Sequence, residues 1–182
     1  MYLQVAIMWS ERRTKHGNKL QGGQDMFFKS RKEKAEKQEK KELLYQSNIK
    51  VHCQPMTKAE AIRTAGQMLA DTGYVDQEYV DAMQEREKTF STFMGNGLAL
   101  PHGVEEAKRQ VKASGISVLT FTEPIDWDGN PVRIVIGVAG VGEEHMDILS
   151  LVAEAMLDEE VGEHMADYEA EQIYEILTKK EA

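Results

Sequence analysis

Val132-Arg133-Ile134-Val135-Ile136-Gly137-Val138-Ala139-Gly140-Val141 is apolar at nearly every position after Arg133. A strand with one wet face alternates apolar and polar residues, so this run predicts a central strand covered on both faces. Its neighbours supply the pieces. Ile116 to Phe121 reads as a second strand, joined to it through the turn residues Asp128-Gly129-Asn130-Pro131. After it, Ile148, Leu149, Val152, Ala155 and Met156 form the stripe of an amphipathic helix from Glu144 to Leu157.

Further from the centre, Ile49 to Cys53 alternates like a short strand. Thr57-Lys58-Ala59-Glu60 has the form of a capping box, which opens a helix carrying Ile62, Ala65, Met68 and Leu69 on one face and ending at Gly73. Asp76 is positioned to cap a second helix to about Lys88, with Tyr79, Val80, Met83 and Phe90 inward. Gly95-Asn96-Gly97 is a turn, and Leu98 to Gly103 a short apolar strand that Pro101 and Gly103 end. Short helices are predicted from Glu160 to Met165 and from Glu169 to Thr178. Strand, two helices, three strands and further helices predict an α/β fold: a three-layer sandwich with a mixed central β-sheet flanked by helices.

The chain has 182 residues, 41% of them hydrophobic, which suits one domain with a real core. A single cysteine, Cys53, excludes a disulfide framework and a multi-cysteine zinc site, and points to a reducing, cytoplasmic setting. No stretch is long and apolar enough for a membrane span, so no direct membrane insertion is expected, and the first nine residues lack the form of a signal peptide. The net charge of −9 hides a split. Residues 1–41 carry 11 Lys and Arg against 5 Asp and Glu, while residues 42–182 carry 11 against 26, a net of −15. The first segment has no apolar periodicity and is expected to be a charged leader, disordered or partly helical, outside a domain spanning 42–182. So acidic a domain does not suit nucleic acid and steers toward basic protein surfaces.

Three polar residues fall where apolar ones are expected. Arg86 lies three beyond Met83 and four before Phe90, so it either meets an anion on the inner side or snorkels from the edge of the stripe. His145 precedes Ile148, Leu149 and Val152 at helical spacing. It either faces an anion site at a helix N-terminus or is satisfied by the backbone there. His102 ends an apolar strand between Pro101 and Gly103, at the kind of strand end where α/β sheets build sites. It is a nucleophile, a general base or an ordinary loop histidine. The cluster Glu143-Glu144-His145 with Asp147 does not converge on one point of a helix and is set aside as a metal site. Cys53 reads as a small buried residue.

Glu87 followed by Met94-Gly95-Asn96-Gly97-Leu98-Ala99-Leu100-Pro101-His102-Gly103 resembles the signature around the active histidine of EIIA domains of the mannitol/fructose type, from the phosphoenolpyruvate-dependent sugar phosphotransferase system. The resemblance extends through Ile49-Lys50-Val51, Glu60-Ala61-Ile62-Arg63, Ile116 to Leu119, Val135 to Gly140 and Glu144 to Leu149, covering about residues 43–180. It implies a phosphoryl carrier. The phosphocarrier HPr would load His102 at Nε2, and His102 would pass the group to the cysteine of a cognate EIIB or EIICB. Arg86 matches the arginine of the mannitol branch and His145 the second histidine, so both would stabilise the phosphoryl group. No metal or cofactor is implied. The segment Val138 to His145 favours the mannitol branch, and with neither an EIIB nor an EIIC portion in the sequence the resemblance is to a stand-alone EIIA. A fructose-type EIIA, or a nitrogen-type regulatory EIIA acting as a protein-binding module, shares the His102 motif.

Overall fold

The computed structural model describes residues 41–178, so the predicted leader lies outside the described residues except for Lys41. The Lys41 ammonium donates to the Thr72 carbonyl.

The centre of the fold is built by a two-residue turn. Asp128 and Gly129 take φ of 54° and 85°, the left-handed pair a tight hairpin requires. They join β4 (Gly115–Trp127) to β5 (Asn130–Ala139) in antiparallel register, from Trp127 opposite Asn130 to Gly115 opposite Ala139. On its other edge β5 pairs in parallel with β3 (Leu98–Ala99), Leu98 opposite Ile134. β1 (Ile49–Cys53) lies parallel to β4, and β2 (Phe93–Gly95) antiparallel to β3, so the mixed sheet runs β1-β4-β5-β3-β2.

Both faces of the sheet are covered. Val135 and Ala139 of β5 pack with Ile62, Ala65 and Leu69 of α1 (Lys58–Asp71) and Tyr79 and Met83 of α2 (Tyr79–Thr89). The intervening Ile134, Ile136 and Val138 pack with Ile148 and Val152 of α3 (Glu144–Leu157) and with Ile173 and Leu177 of α5 (Ala170–Thr178). Between these two helices lies α4 (Glu159–His164). Two cores share one strand, which is why that strand is apolar on both faces.

α1 begins as its sequence requires. The Thr57 hydroxyl accepts from the Glu60 amide and the Glu60 carboxylate from the Thr57 amide, a cap worth about 1 kcal/mol. The helix lies close against β5 because Gly137 faces it: a Cβ there would come 3.0 Å from the Ala65 methyl and 2.6 Å from the Ser117 hydroxyl.

Three expectations change. α2 starts at Tyr79, not behind an Asp76 cap; the Asp76 carboxylate pairs instead with Lys112 at 2.5 Å. Phe90 is 72% exposed, because it takes extended φ/ψ at the end of α2 and helical spacing no longer governs its direction. The inner position one turn beyond Met83 belongs to Glu87, buried at 5% exposure. β4 continues six residues past Phe121, and β2, too short and half-exposed to show a pattern, goes unread in the sequence.

Candidate active site

β3 and β5 are parallel, so their carboxyl ends emerge side by side. The Val138 amide donates to the Pro101 carbonyl at 2.9 Å, carrying the pairing to a bridge between His102 and Val138. Pro101 fixes the turn, and the half-buried His102 ring is delivered at the sheet edge.

The imidazole is oriented by its own strand. His102 Nδ1 lies 2.9 Å from the Leu100 carbonyl oxygen. A carbonyl only accepts, so Nδ1 carries the proton and Nε2 keeps its lone pair. Burial is the main influence on His102 and lowers its pKa; the Leu100 hydrogen bond opposes this and Arg86 adds to it. The ring is therefore neutral at pH 7.

β5 delivers the second histidine. The chain leaves Ala139 through Gly140 and enters α3, whose first turn carries His145 with its ring centroid 5.0 Å from that of His102. Gly140 permits the approach, since a Cβ there would lie 2.4 Å from the His145 Cα. The Ser114 hydroxyl accepts from the Val141 amide at 3.0 Å and donates to the Glu144 carboxylate, tying the helix start to the sheet. Burial lowers the pKa of His145, and the neighbouring His102 lowers it further.

Arg86 completes the group. Its Nη1 donates to the Phe90 carbonyl at 2.9 Å and its guanidinium lies over the Phe90 ring. Half-buried, it takes the edge-of-stripe position while still lining the cleft. That cleft, about 320 Å³, is lined by His102, His145 and Arg86 together with Tyr79, Lys108, Gly140 and Gly142.

Tyr79 and Lys108 were not singled out by the sequence. The buried Tyr79 hydroxyl donates to the Val138 carbonyl and accepts from the Gly103 amide, each at 2.9 Å, so it clamps the turn after His102 to β5. Gly103 is required there, because a Cβ would sit 2.5 Å from the Tyr79 ring. A tyrosine on an apolar helix face gives no sign of such a role. Lys108 belongs to the short 3-10 segment Glu105–Gln110 and pairs with Glu105 at 2.7 Å.

The other sequence candidates stay apart from the cleft. Cys53 is half-buried on β1, its thiol pKa raised by burial. Among the described residues no group of three or more His, Cys, Asp or Glu comes together as metal ligands would, and no helix is long and apolar enough to cross a membrane.

The arrangement is a neutral imidazole with a free lone pair, beside a second imidazole, a guanidinium and a helix N-terminus. Such a site suits a nucleophile handling an anionic group. Comparison with known proteins leads to the same place. Residues 42–180 match the family model described as phosphoenolpyruvate-dependent sugar phosphotransferase system, EIIA 2. The mannitol-specific phosphotransferase enzyme IIA component of Halalkalibacterium halodurans is 52% identical over 130 residues, 71% of this chain and 90% of that protein. Among solved structures, the Escherichia coli complex of mannitol enzyme IIA with phosphorylated enzyme IIB matches with a TM-score of 0.67 at 36% identity, covering 72% of this chain and 94% of that one. The nitrogen regulatory protein IIA-Ntr of Neisseria meningitidis matches with a TM-score of 0.63 at 26% identity, covering 75% and 97%. The chain thus belongs to the EIIA type-2 family of the phosphoenolpyruvate-dependent sugar phosphotransferase system, as a phosphotransferase component that carries a phosphoryl group.

Proposed function

We propose that His102 is the phosphoryl acceptor, loaded at Nε2 by phosphorylated HPr and unloaded by the cysteine of a mannitol EIIB or EIICB. The observation that carries this reading is the hydrogen bond from Nδ1 to the Leu100 carbonyl, which leaves Nε2 as the nucleophilic atom beside His145 and Arg86.

In the loading step the Nε2 lone pair attacks phosphorus, and the P–N bond to the donor breaks with its electron pair returning to the donor imidazole. The proton stays on Nδ1, donated to the Leu100 carbonyl, throughout. Phosphoryl transfer passes through a loose transition state, so the protein chiefly positions the groups and offsets charge. Arg86 offers guanidinium N–H groups beyond the one given to Phe90, His145 offers a ring N–H, and the α3 amides add the positive end of a helix dipole. In the unloading step a thiolate of EIIB attacks phosphorus, and the Nε2–P electron pair returns to His102.

Docking has a physical basis in the same region. Met146 lines the cleft and is 62% exposed, and Phe90, stacked under Arg86, is 72% exposed. Exposed apolar groups around a charged centre suit a transient protein partner, and the acidic domain would draw in a basic one. Mannitol is favoured over the regulatory reading by the higher identity of the mannitol-specific relative, 52%, against 26% for the nitrogen regulatory neighbour.

The test is reconstitution with enzyme I, HPr, labelled phosphoenolpyruvate and candidate EIICB proteins. Label should appear on His102 and move to a mannitol EIICB. Transfer to a fructose permease alone, or to none, would replace the mannitol assignment.

A further inference from the structure

Glu87 is a buried carboxylate with four donors around it. Its Oε1 accepts from Trp127 Nε1 at 2.7 Å and lies 3.5 Å from the Lys58 ammonium, which also reaches Asp128 at 2.6 Å. Its Oε2 accepts from the Thr92 amide at 2.9 Å and the Thr92 hydroxyl at 2.5 Å. A buried carboxylate so fully partnered is costly to disturb, and removing it would strand several donors at once. Packing alone would be served as well by an apolar side chain.

The contacts continue toward the site. The Thr92 carbonyl accepts from the Leu100 amide at 3.0 Å, just outside the β2–β3 ladder. The Leu100 carbonyl in turn holds His102 Nδ1. Pro101 stiffens the link between them, so where Leu100 sits decides where its carbonyl points. Glu87 holds Thr92, Thr92 holds Leu100, and Leu100 selects the His102 tautomer.

We infer that Glu87 is a positioning residue for phosphoryl transfer: through Thr92 and Leu100 it keeps the proton of His102 on Nδ1 and the lone pair on Nε2. The inference rests on His102 being the acceptor. Glutamine could satisfy Trp127 or Thr92 but not both, since its NH₂ group would meet a donor on one side.

The experiment reads the tautomer directly. Two-bond ¹H–¹⁵N correlation of the ¹⁵N-histidine-labelled full chain is recorded for wild type, Glu87→Gln, Thr92→Val and Trp127→Phe, with initial rates of loading from phosphorylated HPr. Wild type should show a single Nδ1–H form. Glu87→Gln should show a mixture with a rate lower by about tenfold or more. Thr92→Val, which removes only the hydroxyl tie, should shift both in the same direction by less, and it carries the test should Glu87→Gln fail to fold. Trp127→Phe should lower thermal stability while leaving the tautomer alone, because both ties to Oε2 remain. The inference is overturned by an Nε2–H form in wild type, by an unchanged tautomer in folded Glu87→Gln and in Thr92→Val, or by an equal shift in Trp127→Phe. A tautomer that moves as expected across the variants, with a wild type that takes no phosphate, would overturn the acceptor assignment and keep the tautomer-positioning role.

Discussion

His102 and His145 meet in one cleft but are held differently. Around His102 every link is a hydrogen bond of fixed direction: Nδ1 to Leu100, Pro101 to Val138, and Gly103 to the Tyr79 hydroxyl. His145 sits on the first turn of a helix with no side-chain cap, brought close by the absent side chain of Gly140 and by Ser114. Among the described residues its ring has no hydrogen bond. The difference matches the tasks proposed for them. An attacking lone pair must be aimed, and a supporting donor needs only to be within reach and free to turn toward a phosphoryl group.

The sharpest break of this comparison is His102→Ala. It should abolish phosphate acceptance, read as acid-labile label mapped by mass spectrometry under mildly basic conditions. Label on His145, or undiminished label in His102→Ala, would exchange the two roles. His145→Ala and Arg86→Ala should still accept phosphate, more slowly by about 10–100-fold, since each removes a charge-assisted hydrogen bond worth about 1.5–3 kcal/mol. Arg86→Lys should recover only part of the loss, because an ammonium lacks the planar fork. Wild-type initial rates for either alanine variant would show that the cleft works with His102 alone.

A smaller effect should come from Gly140→Ala. Its methyl meets the His145 backbone and not a flexible tip, so α3 must shift, costing about 1–3 kcal/mol. Its melting temperature should fall and its loading rate should resemble that of His145→Ala, with the His102 tautomer unchanged. A shifted tautomer would mean that the two histidines are not held independently.

The smallest effect concerns pH. A free imidazole is half protonated near pH 6.5, whereas burial holds both His102 and His145 below that value. Loading should therefore lose less between about pH 8 and 6.5 than a free imidazole would, and decline further below about pH 6.5. For stability the sign follows from the same shifts. Below about pH 6.5 the unfolded chain binds protons that these folded histidines refuse, so stability is full above that pH and falls as pH drops toward the folded values. A loading rate halved at pH 6.5 would place His102 in a wetter site than the structure gives it.

Much of this protein was legible in its sequence because the signals are local. Val132 to Val141 announced a strand with two covered faces, Thr57 and Glu60 announced the start of α1, and Asp128-Gly129 marked the central hairpin. His102 was legible because Pro101 and Gly103 mark a strand end, and because the surrounding residues resemble a family signature. Phe90 misled for an equally local reason: helical spacing has no meaning beyond the last helical residue. What the tertiary structure alone decided is how the histidine is held. Tyr79 reaches Val138 across 59 positions and Trp127 reaches Glu87 across 40. Periodicity assigns a residue to a face but is silent about its partner there, because hydrogen bonds between distant segments depend on strand order and helix placement. The resemblance implied Nε2 for His102, but the contact that leaves Nε2 free belongs to that level, set by a carbonyl whose position depends on the packed sheet.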